Sequence, residues 1–166
     1  MGRAYKTMKP FEIGDRAHFP GQGLGRIDRE FDREGTRVFY LDMDSGRGIG
    51  VPVAEASTIL WRLPSTEEAT RLRRSLFTSS APDLRPFQER YEHFVETMKS
   101  GTVTDYIALM GPLLARGAPE SFGERKLMIQ LEDNVTAPIA EALGEDPRGL
   151  YEEVAAFQRD NALPSP

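Results

Sequence analysis

Gly21, Gly23 and Gly25 stand in the stretch FPGQGLGRI, directly after a short apolar segment, where a phosphate-cradling loop would begin. A dinucleotide loop needs G-x-G-x-x-G opening a helix, so that the helix N-terminus faces the pyrophosphate, and a P-loop ends in Gly-Lys-Ser/Thr. Here the spacing is G-x-G-x-G, no Lys follows, and the next residues, RIDREF, hold no helix N-cap. The glycines therefore read as a turn and bend between two strands. Asp42 and Asp44, two apart, would share one face of a strand and resemble a carboxylate pair for acid–base work. They precede SGRG, however, where acidic residues ordinarily solvate a hairpin end. His18 falls in the first strand and His93 on the polar side of a helix, and both read as structural or solvated. With zero cysteines and two histidines there is neither thiolate nor a zinc-ligand set. No catalytic residue, metal or cofactor is expected, and the chain is not expected to be an enzyme.

The elements that position these residues must come from a chain of ordinary composition, 39% hydrophobic and 28% charged over 166 residues. Residues 1–63 hold 10 Lys/Arg and 9 Asp/Glu, whereas 64–166 hold 11 and 17, so the net charge of −5 lies in the second part. An acidic second half repels polyanions at long range and disfavours a broad nucleic-acid surface there. No apolar run approaches the ~18 residues of a membrane span. MGRAYKTMKP has no apolar core and is not a secretory signal. A cytoplasmic monomer without membrane association is expected.

From Phe11 to Leu63 short apolar bursts (RAHFP, GRIDREF, TRVFYLDM, GIGVPV) alternate with the turn stretches DREG and DSGRG. This pattern predicts a small, bent antiparallel barrel, with Pro20 and Pro52 at strand ends or edges. Trp61 is expected where the two modules join. From Ser65 the period becomes helical. STEE is a capping box opening a helix to about Phe77, and the loop TSSAPDLRP follows. Asp83 and Pro86 start a second helix striped by Phe87, Tyr91, Phe94, Val95 and Met98, which ends at Gly101. A third, near Thr102 to Arg116, should be disturbed by Gly111 and Pro112. SFGE opens a fourth carrying Leu127, Met128, Leu131, Val135, Ile139 and Leu143, with a kink at Pro138. Asp146 caps the fifth, Pro147 begins it, and it ends near Arg159. The expected fold is α+β, a β module over 1–63 followed by an all-α domain of about five helices over 64–166.

FEIGDRAHFPGQGLGRI, then FYLDM, then GIGVPVAEA, resembles the N-terminal module of the CarD/CdnL family of bacterial transcription regulators, a module also present in transcription-repair coupling factors. The match covers about residues 11–63. FQERYEHF, KSGTVTDYIALMGPL and GERKLMIQL resemble the family's helical domain more loosely, and no helicase motor follows, as in the stand-alone regulators. The resemblance implies a Tudor- or SH3-like barrel that docks on the RNA polymerase β subunit by strand addition. It assigns Arg33, Val38, Tyr40, Gly50, Val51 and Pro52 as contacts. The alternative for Val38, Tyr40 and Val51 is that they are barrel core.

The resemblance also implies a helical domain that presents a wedge to the upstream edge of the promoter bubble, with basic residues on phosphates. Phe87 matches the wedge, and Arg90, Arg125 and Lys126 match the basic positions. Glu89 and Glu92 stand where the family carries cations, and Gln130 and Glu132 replace arginines. Each lost cation removes a counterion-release contribution. Contact with promoter DNA is therefore expected to be weak or lost, and Phe87 reads equally well as part of its own helix stripe. The expected partner is the RNA polymerase β subunit, with nucleoid association when bound. An SH3-like adaptor unrelated to polymerase is the competing reading.

Overall fold

The computed structural model describes residues 9–78, 83–116 and 121–161; the N-terminal residues 1–8 and part of the loop TSSAPDLRP lie outside them. The chain divides between Arg62 and Leu63 into two compact units. The first is an antiparallel sheet of β1 (Arg16–Phe19), β2 (Gly23–Arg33), β3 (Thr36–Met43), β4 (Gly48–Pro52) and β5 (Trp61–Arg62). A 3-10 turn at Val53–Glu55 and the short helix α1 (Ala56–Ile59) join β4 to β5. The strand order is β4-β3-β2-β1-β5, so among the described residues the sheet is open, with β4 and β5 at its edges.

The glycines of FPGQGLGRI form the β1–β2 connection. Gly21 and Gly23 take φ of 83° and 100°, a region costly for any residue with a Cβ, and Gln22 N–H donates to the Phe19 carbonyl at 2.8 Å. A Cβ on Gly25 would overlap Met43, so that glycine lets β2 pass close to β3. The hairpins follow from DREG and DSGRG. Glu34 and Gly35 both have positive φ in a two-residue turn closed by Arg33 and Thr36. Gly46 turns the β3–β4 hairpin. Phe11, Ala17, Ile27, Phe39, Leu41, Met43, Val51, Ala56 and Leu60 form the core of this unit.

The second unit contains α2 (Thr66–Leu76), α3 (Phe87–Ser100), α4 (Val103–Arg116), α5 (Phe122–Leu143) and α6 (Pro147–Asn161). Ser65 and Ser121 cap α2 and α5 by accepting from the N–H groups of Glu68 and Glu124, each at 3.1 Å. Asp146 accepts from Arg148 N–H at 3.0 Å, which starts α6 on Pro147. α4 runs as one helix through Pro112 and α5 through Pro138. Gly144, left-handed at φ 67°, ends α5. Leu76, Phe94, Tyr106, Met110, Leu114, Leu131, Val135, Ile139, Leu150 and Val154 are buried, and the Tyr106 hydroxyl donates to the Met98 carbonyl at 2.8 Å.

Candidate docking edge and helical surface

The strand β4 is the feature of the sheet unit best suited to receive a partner. Its register against β3 pairs Val38 with Pro52, Phe39 with Val51, Tyr40 with Gly50, Leu41 with Ile49 and Asp42 with Gly48. Met43 N–H donates to the Arg47 carbonyl at 2.9 Å, closing the hairpin with a bonded pair. Bonded and non-bonded pairs alternate along an antiparallel ladder. Leu41/Ile49 and Phe39/Val51 are thus the bonded pairs. The N–H and C=O of Gly48 and Gly50, and the C=O of Pro52, point away from β3 toward the open edge. Among the described residues no strand pairs with that edge.

The side chains divide just as sharply. Val51, with 1% of its surface exposed, belongs to the core, and its backbone is engaged with Phe39, so neither part of it faces the edge. Val38, Tyr40, Gly50 and Pro52 lie on the opposite, outer face. Val38 is nevertheless only 7% exposed, because Phe31 and Pro52 flank it in one cross-strand row. Arg33 ends β2 at the hairpin tip, exposed and beyond the end of β4. The outer face also holds two residues absent from the sequence-based set, Arg29 and Phe31. A register shift between Ile27 and Arg29 inserts Asp28 as a bulge, so Ile27 points into the core while Arg29 and Phe31 turn outward. Simple alternation would place Ile27 and Phe31 on one face, and no local residue signal marks the bulge.

Of the remaining polar candidates, Asp44 is held in an ion pair and His18 is buried. Asp44 lies past the end of β3 and forms a two-point pair with Arg16 at 2.6 and 2.8 Å. That hydrogen-bonded pair holds its carboxyl below the ordinary value. Asp42 stays on β3, exposed on the outer face, so the two carboxylates do not form a strand pair. His18 is buried with its ring 5.2 Å from that of Trp61, which is half-buried in β5, and His93 is exposed on α3.

In the helical unit the four DNA candidates separate. Arg125 and Lys126 are exposed on the first turn of α5. Phe87 is 41% exposed, with its ring 5.8 Å from that of Tyr91 and its edge against Gly123. Arg90 is buried. Its guanidinium meets the Glu124 carboxylate at 2.7 Å, with the two side chains 10% and 6% exposed. A guanidinium so enclosed is withdrawn from phosphate, and its task is to tie the start of α3 to the start of α5. The capping box SFGE was legible, but the recruitment of its glutamate by Arg90 was not. Glu132 is half-buried; burial and then the neighbouring Asp133 push its carboxyl above the ordinary value. Tyr151 donates to Asp133 at 2.5 Å, and burial with that bond raises the phenol's pKa. Among the described residues no helix is long and apolar enough to cross a membrane. No protein-family model matches this chain, and no curated protein matches it either.

Proposed function

We propose that this chain is a divergent CarD/CdnL-type transcription regulator that docks on the RNA polymerase β subunit through β4. The observation that carries the reading is the open edge of β4. Two glycines direct their backbone groups outward there, beside an apolar row of Phe31, Val38 and Pro52. An added strand would complete those hydrogen bonds and bury the row, the mode in which backbone groups supply affinity and side chains supply selectivity. In this reading the unit is the family's Tudor-like barrel, left open on the side that receives the partner. The protein is a cytoplasmic, non-catalytic monomer that joins the nucleoid when polymerase-bound.

Direct contact of the helical unit with promoter DNA is weak or lost. Arg90 serves the fold, Glu89 and Glu92 are exposed carboxylates on the same helix, and Arg125 and Lys126 are the matched cations left in solvent. The test is calorimetric titration of the full-length chain into purified RNA polymerase core enzyme. Pro52→Arg should weaken binding by about ten-fold or more while leaving the circular dichroism intact. Val51→Glu should instead unfold the sheet unit, because it buries a carboxylate without a partner. Absence of binding by the unmodified chain would refute the reading and favour an adaptor unrelated to polymerase.

A further inference from the structure

The phenol of Tyr40 reaches from β3 diagonally over the edge strand. A Cβ at Gly48 would overlap Oη, Cζ and Cε2 of Tyr40, so the end of the ring occupies the space where any other residue would carry its side chain. The Arg29 guanidinium lies over the same ring, 4.6 Å from its centroid. The hydroxyl is thereby carried above Gly48, at the open edge, and it has no hydrogen-bond partner among the described residues. The Arg29 guanidinium has no carboxylate partner among the described residues, whereas Arg26 donates to the Gly14 carbonyl at 2.8 Å. Asp42 stands opposite Gly48, in the row after Tyr40.

We propose that Tyr40 is the specificity-determining side chain of this edge, and that it recognises a carboxylate on the docked strand. The Tyr40 hydroxyl donates to an Asp or Glu carried on the outer face of the incoming strand beside Gly48, and Arg29 supplies the complementary charge. Gly48 is the residue that makes the arrangement fit, since it alone leaves room for the phenol. The occupant is an extended acidic segment of the polymerase β subunit, and the inference rests on the docking reading above.

The experiment titrates full-length variants into purified RNA polymerase core enzyme at two salt concentrations, with thermal unfolding measured in parallel. Tyr40→Phe keeps the ring and its stacking and removes only the hydroxyl. It should lower affinity by about ten-fold or more, the worth of a hydrogen bond to a charged acceptor, with the thermal midpoint unchanged. Gly48→Ala should lower affinity in the natural background but cost nothing further in Tyr40→Ala, where no phenol is displaced. Arg29→Gln should weaken binding and flatten its salt dependence. Tyr40→Phe binding within about two-fold of the unmodified chain, while Pro52→Arg still abolishes docking, overturns this inference and leaves the docking reading standing. An Arg29→Gln variant with unchanged affinity and salt dependence overturns the acidic assignment. If the unmodified chain does not bind core enzyme, both fall together.

Discussion

Replacing Arg90 with methionine removes a guanidinium that is 10% exposed and leaves behind a Glu124 side chain that is 6% exposed. A buried carboxylate stripped of its cation costs about 3–5 kcal/mol, against a total stability of about 5–15 kcal/mol for a domain. Arg90→Met should therefore bring the helical unit close to unfolding, and Glu124→Leu, which strands the cation, should do the same. The natural pair is itself imperfect, because Nε and Nη1 of Arg90 are buried without hydrogen-bond partners. Such orphaned donors each cost about 1–3 kcal/mol. The double variant Arg90→Met/Glu124→Leu removes both charges and both orphans at once. It should recover natural stability or exceed it by about 1–4 kcal/mol, less the few tenths that an acidic residue contributes in the first turn of α5. Urea unfolding followed by far-ultraviolet circular dichroism reads the helical unit, and fluorescence of Trp61, the single tryptophan, follows the sheet unit. A loss below about 1 kcal/mol for Arg90→Met, or a double variant no better than either single one, would refute a coupled buried pair.

Glu34 is the one described non-glycine residue with positive φ, at 52°, in a two-residue turn that favours Asn-Gly. Glu34→Asn should raise the stability of the sheet unit by about 1 kcal/mol, read as an upward shift of its thermal midpoint. The Glu132 carboxyl is raised above its ordinary 4.5, so the folded state holds its proton more tightly than the unfolded one and loses stability as pH rises through that raised value. Glu132→Gln should accordingly raise the melting temperature at neutral pH and have no such effect below pH 4.5, and an equal gain at both would refute the cause. For DNA, Arg125 and Lys126 as the exposed matched cations limit the logarithmic salt slope to about −2, far short of a protein with six to ten phosphate contacts. Filter binding to duplex promoter DNA at physiological salt should show little retention, and tight binding to a forked promoter would overturn the loss of the DNA face.

Local chemistry made most of the helical unit readable. Ser65, Ser121, Asp146 and Pro147 mark helix starts because each satisfies or dispenses with an N–H that the helix leaves unpaired, and the starts fall where those residues stand. Gly101, read as the end of its helix, caps α3, whereas the left-handed Gly144 that ends α5 was not among the residues read as helix ends. The glycines after Phe19 were legible as a turn because a phosphate loop needs a helix behind it, and RIDREF continues as strand. α4 and α5 run through Pro112 and Pro138 without ending, so neither proline is a helix boundary.

The outcomes decided by tertiary structure are those that depend on residues far apart in the chain. Whether Val51 or Pro52 lies on the outer face is a matter of register, and a one-residue difference exchanges core for surface. The Asp28 bulge reverses the faces along β2, so Phe31 and Arg29 join Val38 and Tyr40 although the pattern of RIDREF places Phe31 with Ile27. Tyr40 can lie over Gly48 because the β3–β4 hairpin sets them on a diagonal. The family resemblance put Arg90 on a phosphate, and only the meeting of α3 with α5 gives it Glu124 instead. Composition and period determine which segments become helix or strand, because those choices are made over a few neighbouring residues. The partner of each charge, and which face of a strand is buried, are set by packing that brings distant segments together.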